Sequence, residues 1–114
     1  MKALVYWALS GIGGVQRFDA LLTRALLDLG IETSILVPSS FNPGDVENYH
    51  GVKIKGAHII KYGIIDCGGA YCDLVNNVQG NIVLANIISN GNYDLVFIDT
   101  LFLYPASKVL IKKM

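Results

Sequence analysis

Residues 2–38 read KALVYWALSGIGGVQRFDALLTRALLDLGIETSILVP, and this stretch decides the fold. Ala3 to Ala8 is an unbroken apolar run, the pattern of a strand covered on both faces in a parallel sheet. Ser10-Gly11-Ile12-Gly13-Gly14 breaks it. From Val15 the period changes. Phe18, Leu21, Leu22, Ala25, Leu26 and Leu29 recur at helical spacing and predict a core-facing stripe, with Gln16, Asp19, Thr23, Arg24 and Asp28 on the other side. Gly30 is placed to cap that helix. Glu32 to Val37 reads as a second strand, closed by Pro38. Strand, helix and strand at this spacing make a right-handed βαβ unit.

Outward from that unit the signals are more mixed. Ser39 to His50 carries Asn42-Pro43-Gly44-Asp45 and reads as a surface loop. Gly51-Val52-Lys53-Ile54-Lys55 alternates apolar and charged residues, as a short strand near a sheet edge does, and Ala57 to Tyr62 extends it or pairs with it. Tyr71 to Ser89 has helical periodicity through Leu74, Val75, Val78, Ile82, Ala85 and Ile88. Gly80 is an interruption in it worth ~1 kcal/mol against Ala. Tyr93 to Asp99 is another buried strand, and Pro105 opens a last helix bearing Lys108, Lys112 and Lys113. The order β-α-β-β-α-β-α predicts an α/β fold: an open, mostly parallel sheet between two helical layers. The strand order expected is about 3-2-1-4.

The chain of 114 residues allows one domain. Nine Lys and Arg balance nine Asp and Glu, so it carries no electrostatic footprint for nucleic acid or anionic lipid. Hydrophobic residues make up 53% and charged residues 16%, too apolar for disorder and apolar for a small lone domain. Some apolar surface is therefore expected to meet a partner, a second domain or a ligand. No stretch reaches the ~20 apolar residues of a membrane span. Cys67 and Cys72 lack a matching set of zinc ligands. Two free thiols in a reducing compartment, and so a cytoplasmic address, are the expectation, with a local disulfide left open.

In sheets of this kind ligands bind beyond the carboxyl ends of the strands, where strand order reverses. Leu9 to Arg17 follows the first strand, and Asp99 to Tyr104 follows the strand centred on Val96. With order 3-2-1-4 those strands are neighbours and the two segments flank one crevice. Glycines in the first segment let a ligand approach the backbone without meeting a Cβ. The helix after them directs free N–H groups and a positive dipole end into the crevice, which suits a phosphate or carboxylate. A tight strand-to-helix turn with no ligand would use the same glycines. The dinucleotide fingerprint is incomplete: Gln16 stands at the third glycine position, and no acidic residue ends the second strand.

Gly13-Gly14-Val15-Gln16-Arg17, the helix closing in Leu29-Gly30, and Glu32-Thr33-Ser34-Ile35-Leu36-Val37-Pro38 together resemble the start of retaining GT-B glycosyltransferases. Asn92 to Asp99 is similar to the cleft-lining strand of that family, with Asp99-Thr100 where the family often has His. The resemblance covers most of the chain and is most specific over residues 11–38. It implies the amino-terminal, Rossmann-like domain of a two-domain enzyme that takes a nucleotide-sugar donor as substrate, with no separate cofactor and no obligatory metal. Donor phosphates or the acceptor would meet Gly11, Gly13 and Gly14, and more loosely Gln16 and Arg17. The family's donor-binding domain would lie past residue 114, so a single truncated domain is expected, incomplete for catalysis without a second domain or chain.

Among single residues, Arg17 opposes the helix dipole at its position unless an anion offsets it. Asp99 is the weak catalytic candidate, able to orient an acceptor hydroxyl or act as a base, or simply to start a turn. Thr100 sits beside it. Tyr62, Tyr71 and Tyr104 are candidates for stacking on a sugar or for the core. The rival reading is a non-catalytic module of the same fold whose apolar face forms a homodimer or docks on a partner. A nicotinamide-dependent oxidoreductase ranks third.

Overall fold

Strand β1 (Lys2–Tyr6) sends apolar side chains to both faces of the sheet, and that alternation divides the interior in two. The computed structural model describes residues 1–8, 14–65, 69–91 and 93–98. After β1 come α1 (Gly14–Asp28), β2 (Glu32–Pro38), α2 (Pro43–His50), β3 (His58–Tyr62), α3 (Gly69–Asn90) and β4 (Leu95–Ile98). The four strands form one sheet in the order β3-β2-β1-β4, and every pairing is parallel. Val5 stands level with Ile35 on one side and Phe97 on the other.

Ala3, Val5, Trp7, Ile35 and Val37 face one way, against Ala20 and Leu26 of α1 and Phe41 and Val46 of the α2 region. Leu4, Tyr6, Leu36 and Tyr62 face the other way, against Leu84 and Ile88 of α3. Helices thus cover both faces, the three-layer Rossmann-like arrangement expected from the sequence. The start of β1 is tied to the entry of β4: the Lys2 amide donates to Asp94 Oδ2 and the Asp94 amide to the Lys2 carbonyl, both at 2.8 Å.

Helix α1 is rotated from its expected phase. Phe18 is 62% exposed, and Leu21, Ala25 and Leu29 also face out. The buried positions are Gln16, Asp19, Ala20, Thr23 and Leu26, with Leu22 half-buried. Small side chains at Ala20 and Thr23 let the helix lie close on the strands, where a phenylalanine would hold it off. The polar atom of Thr23 is satisfied on the way in, its hydroxyl donating to the Asp19 carbonyl at 2.7 Å.

The expected loop over residues 39–50 contains a helix. Asn42 caps α2, its Oδ1 accepting from the Gly44 amide at 2.9 Å, and Pro43 takes the first helical turn. Gly51 closes it at φ 66°, in the left-handed region. Asn-Pro-Gly therefore serves as a cap and first turn. Residues 51–55 make no strand: Val52 and Ile54 are buried, but the Lys53 carbonyl is bound by Arg24 Nη1 at 2.9 Å.

Gly80 is a requirement of the packing more than an interruption of α3. A Cβ there would lie 2.5 Å from the Tyr62 ring and 2.7 Å from the Tyr6 hydroxyl. Gly80→Ala should therefore destabilise by ~1–3 kcal/mol through overpacking, although alanine favours a helix by ~1 kcal/mol. Phe18→Ala should stay within ~0.5 kcal/mol, as exposed positions do. Urea unfolding of both variants checks the pair.

Candidate functional site

All four strands end at one edge of the sheet, and there the backbone runs out of ladder partners. Among the described residues the last bond between β1 and β2 is the Trp7 amide to the Leu36 carbonyl, at 2.8 Å. Beyond it each buried N–H and C=O needs another partner. The first half of α3 supplies them. Asn77 Nδ2 donates to the Ala8 carbonyl at 2.7 Å and to the Asp73 carbonyl at 2.6 Å, which fixes its Oδ1 as the acceptor for the Tyr6 hydroxyl at 2.5 Å. The Tyr62 hydroxyl donates to the Trp7 carbonyl at 2.7 Å. The two tyrosine rings stack, 5.4 Å apart and 6° from parallel.

The chain leaving β3 is held in the same manner. Asn76 Oδ1 accepts from the amides of Ile64 and Ile65, and its Nδ2 donates to the Ile65 carbonyl, all within 2.9 Å. Gln79 Oε1 accepts from the Gly63 amide at 2.6 Å. From the end of β2, Ser40 Oγ reaches the buried Asp73 at 3.3 Å, and Ser39 Oγ donates to the Ile65 carbonyl at 3.2 Å. Asp73, Asn76 and Asn77 thus bind the chain beyond three strands to one helix face.

The glycine-rich segment follows β1 in the sequence, and residues 9–13 lie outside the described residues. Gly14 is the first residue of α1, and the first turn of that helix contains no acidic residue. Gln16 is buried, whereas Arg17 is exposed and pairs with no carboxylate among the described residues. Trp7 is fully buried against Phe41, ring to edge at 5.0 Å, and its Nε1 has no hydrogen-bond partner among the described residues. Strand β4 pairs directly with β1, Ile98 level with Tyr6. Gly11, Gly13, Asp99 and Thr100 lie outside the described residues, as do Cys67, Tyr104 and the helix expected from Pro105. The strands that precede the two segments, β1 and β4, are neighbours, as the expected order requires.

Tyr62 belongs to the buried hub, whereas Tyr71 is exposed. Cys72 is disulfide-bonded, so the expectation of free thiols fails there, and with it the thiol argument for a reducing compartment. A cleft of about 350 Å³ lined by Pro43, Glu47, Lys55 and Ile59 shares no residue with this edge. Among the described residues no helix is long and apolar enough to cross a membrane.

The amide cluster on α3 escapes a reading by apolar periodicity. Its signal is present all the same: Asp73, Asn76, Asn77 and Asn81 recur on one face of a helix otherwise rich in apolar residues. Comparison with protein families, with curated proteins and with solved structures finds no match to this chain.

Asn77→Ala removes its bonds to the Tyr6 hydroxyl and the Ala8 carbonyl together, and should cost ~2–4 kcal/mol if each bond is worth ~1–2 kcal/mol. Tyr62→Phe removes one donor from a carbonyl and should cost ~1–1.5 kcal/mol. Urea unfolding of both variants checks the ranking, because Asn77 serves both Tyr6 and Ala8 whereas the Tyr62 hydroxyl donates chiefly to the Trp7 carbonyl.

Proposed function

We propose that this domain forms one wall of a cleft that engages a nucleotide-sugar donor and its acceptor, as a glycosyltransferase-like domain of the GT-B type. The observation that carries the reading is the start of α1. The helix that follows the glycine-rich sequence holds no acid in its first turn and exposes Arg17, which pairs with no carboxylate among the described residues. A lone cation there works against the helix dipole, and an anion seated between them removes that cost. The strand that would carry the second loop, β4, is the immediate neighbour of β1.

In this reading the backbone of Gly11, Gly13 and Gly14 lies against the donor diphosphate, where only glycine leaves room. Arg17 adds charge beside it, and Gln16 supports the turn from within. Asp99 and Thr100 stand on the acceptor side. The reaction breaks the bond between the anomeric carbon and the diphosphate oxygen and joins that carbon to an acceptor hydroxyl, with retention; the hydroxyl proton leaves with the diphosphate. A second domain or chain supplies the rest of the donor site, so this domain binds without turning over. Keeping the charged diphosphate on fixed amides stabilises the leaving group where its charge develops.

Calorimetric titration with UDP- and GDP-sugars at millimolar concentration tests the reading, with inorganic diphosphate as reference. Gly13→Val should weaken binding by at least tenfold while shifting the melting temperature little, and Arg17→Ala should weaken nucleotide and diphosphate alike. Undetectable binding of every ligand at millimolar concentration, or Gly13→Val lowering stability with affinity unchanged, would remove the ligand role of the loop.

A further inference from the structure

Helix α3 carries a second seam, on the side away from the sheet. Tyr71, Val75, Val78, Ile82, Ala85 and Ser89 follow one another at intervals of four, three, four, three and four, the heptad spacing of a helix that packs on another helix. Tyr71 is 77% exposed, Val78 70% and Ile82 51%, Val75 is half-buried, and Ser89 faces solvent; Ala85 lies covered at the flank. In the whole 22-residue helix the single charged residue is Asp73, and that is buried on the sheet side. The outer face therefore carries no charge, and Tyr71, Val78 and Ile82 make its exposed centre apolar.

We infer that this face pairs with the same face of a second copy of the chain, with the two α3 helices antiparallel about a two-fold axis level with Gly80. Set antiparallel about that level, the seam matches itself. Tyr71 falls opposite Ser89, Val75 opposite Ala85 and Val78 opposite Ile82, so large residues meet small ones at the ends and two medium ones meet at the centre. A two-fold contact must be self-complementary in this way.

Charge selects the same occupant. A partner with a charged helix would bury unpaired charges in the seam, whereas a second copy brings none. A lipid surface fits worse, because membrane-surface helices flank their apolar face with Lys and Arg and this helix contains neither. The seam from Tyr71 to Ser89 is ~27 Å long by helix rise, a single helix pair and so a small contact beside a standard interface, and affinity in the micromolar range is expected. The pairing is independent of any ligand at the strand ends.

Sedimentation equilibrium from ~2 to ~200 μM, spanning that range, should show the mass rise from 12.4 kDa toward twice that value. Val78→Glu and Ile82→Lys should each weaken the dimer by at least ~100-fold, because an unpaired charge enters the seam. Mixed in equal amounts they should recombine, since position 78 of one copy meets position 82 of the other. Circular dichroism confirms the fold; if either charged variant unfolds, Val78→Ser and Ile82→Ser provide the same mass readout. A wild-type chain that stays monomeric throughout, or a dimer unchanged by these substitutions, overturns the proposal. Single variants that dissociate but fail to recombine overturn the antiparallel register. A monomer that co-sediments with phosphatidylcholine vesicles identifies the face as a lipid contact instead.

Discussion

A parallel sheet leaves a problem at the edge where its strands end, and in this chain most of the solution comes from polar side chains of one helix, α3. Buried amides and carbonyls beyond the last ladder bond must still be paired. Asn76 and Asn77 pair them, with Asp73 receiving Ser40. Asn76 joins the chain after β3 to α3 through both its acceptor and its donor, and Asn77 holds the Ala8 carbonyl with its donor while its acceptor takes the Tyr6 hydroxyl, which no apolar residue could do. The path of the chain into the glycine-rich segment is thereby fixed at Ala8, one residue before that segment begins. Had Leu or Val occupied these positions, burial would gain some transfer energy but strand several polar groups at ~1–3 kcal/mol apiece.

The same constraint accounts for the division of α3 into two halves. Near the strand ends its inner face is polar, because unpaired backbone lies opposite. Lower down, Leu84 and Ile88 meet Leu4, Leu36 and the half-buried Ile60 and Val96, where the ladder is complete and only apolar surface needs covering. Gly80 lies between the halves and allows the helix near enough for the Tyr6 and Tyr62 hydroxyls to reach their partners. Removing the Cβ at that one position weakens the helix locally and makes the hydrogen-bonded half possible. Helix α1 behaves alike on the other face, taking Gln16, Asp19 and Thr23 inward near the strand ends and Leu26 farther along.

Legibility in the sequence follows from this. The βαβ unit and the order 3-2-1-4 were readable, since the apolar runs of β1 and β2 and the glycines between them have few alternative explanations. Helix existence was readable too, but the inward face was not. Apolar periodicity identifies a stripe, and in α1 and α3 much of that stripe, at Phe18, Leu21, Val78 and Ile82, looks outward. Periodicity cannot tell which of two faces the sheet takes when polar residues are needed on the inside. Helix α2 was missed because Asn42, Pro43 and Gly51 are turn residues and helix caps alike, and only Val46 of its eight residues is buried. At the candidate site, Gln16 and Arg17 are placed by the described structure, whereas the hub of Asp73, Asn76 and Asn77 is defined by contacts far apart in sequence that periodicity does not report.

Exposed apolar residues on both helices also bear on composition. A chain that is 53% hydrophobic with 16% charged residues cannot bury all of its apolar surface in one small domain, particularly when inner helix positions go to Asn, Asp, Gln and Thr. Each polar residue drawn inward to serve the strand ends leaves an apolar one facing out. On α1 that outer face is interrupted by Arg17, Arg24 and Asp28, and Arg24 and Asp28 already pair at 2.7 Å. Charge there keeps the surface wettable and tolerates water as its neighbour. On α3 nothing charged interrupts the face, and water is a poor neighbour for Tyr71, Val78 and Ile82 standing in line. The helix that satisfies the sheet edge is thus the one left with a demand of its own, and a surface of the same length and the same neutrality meets it at least cost.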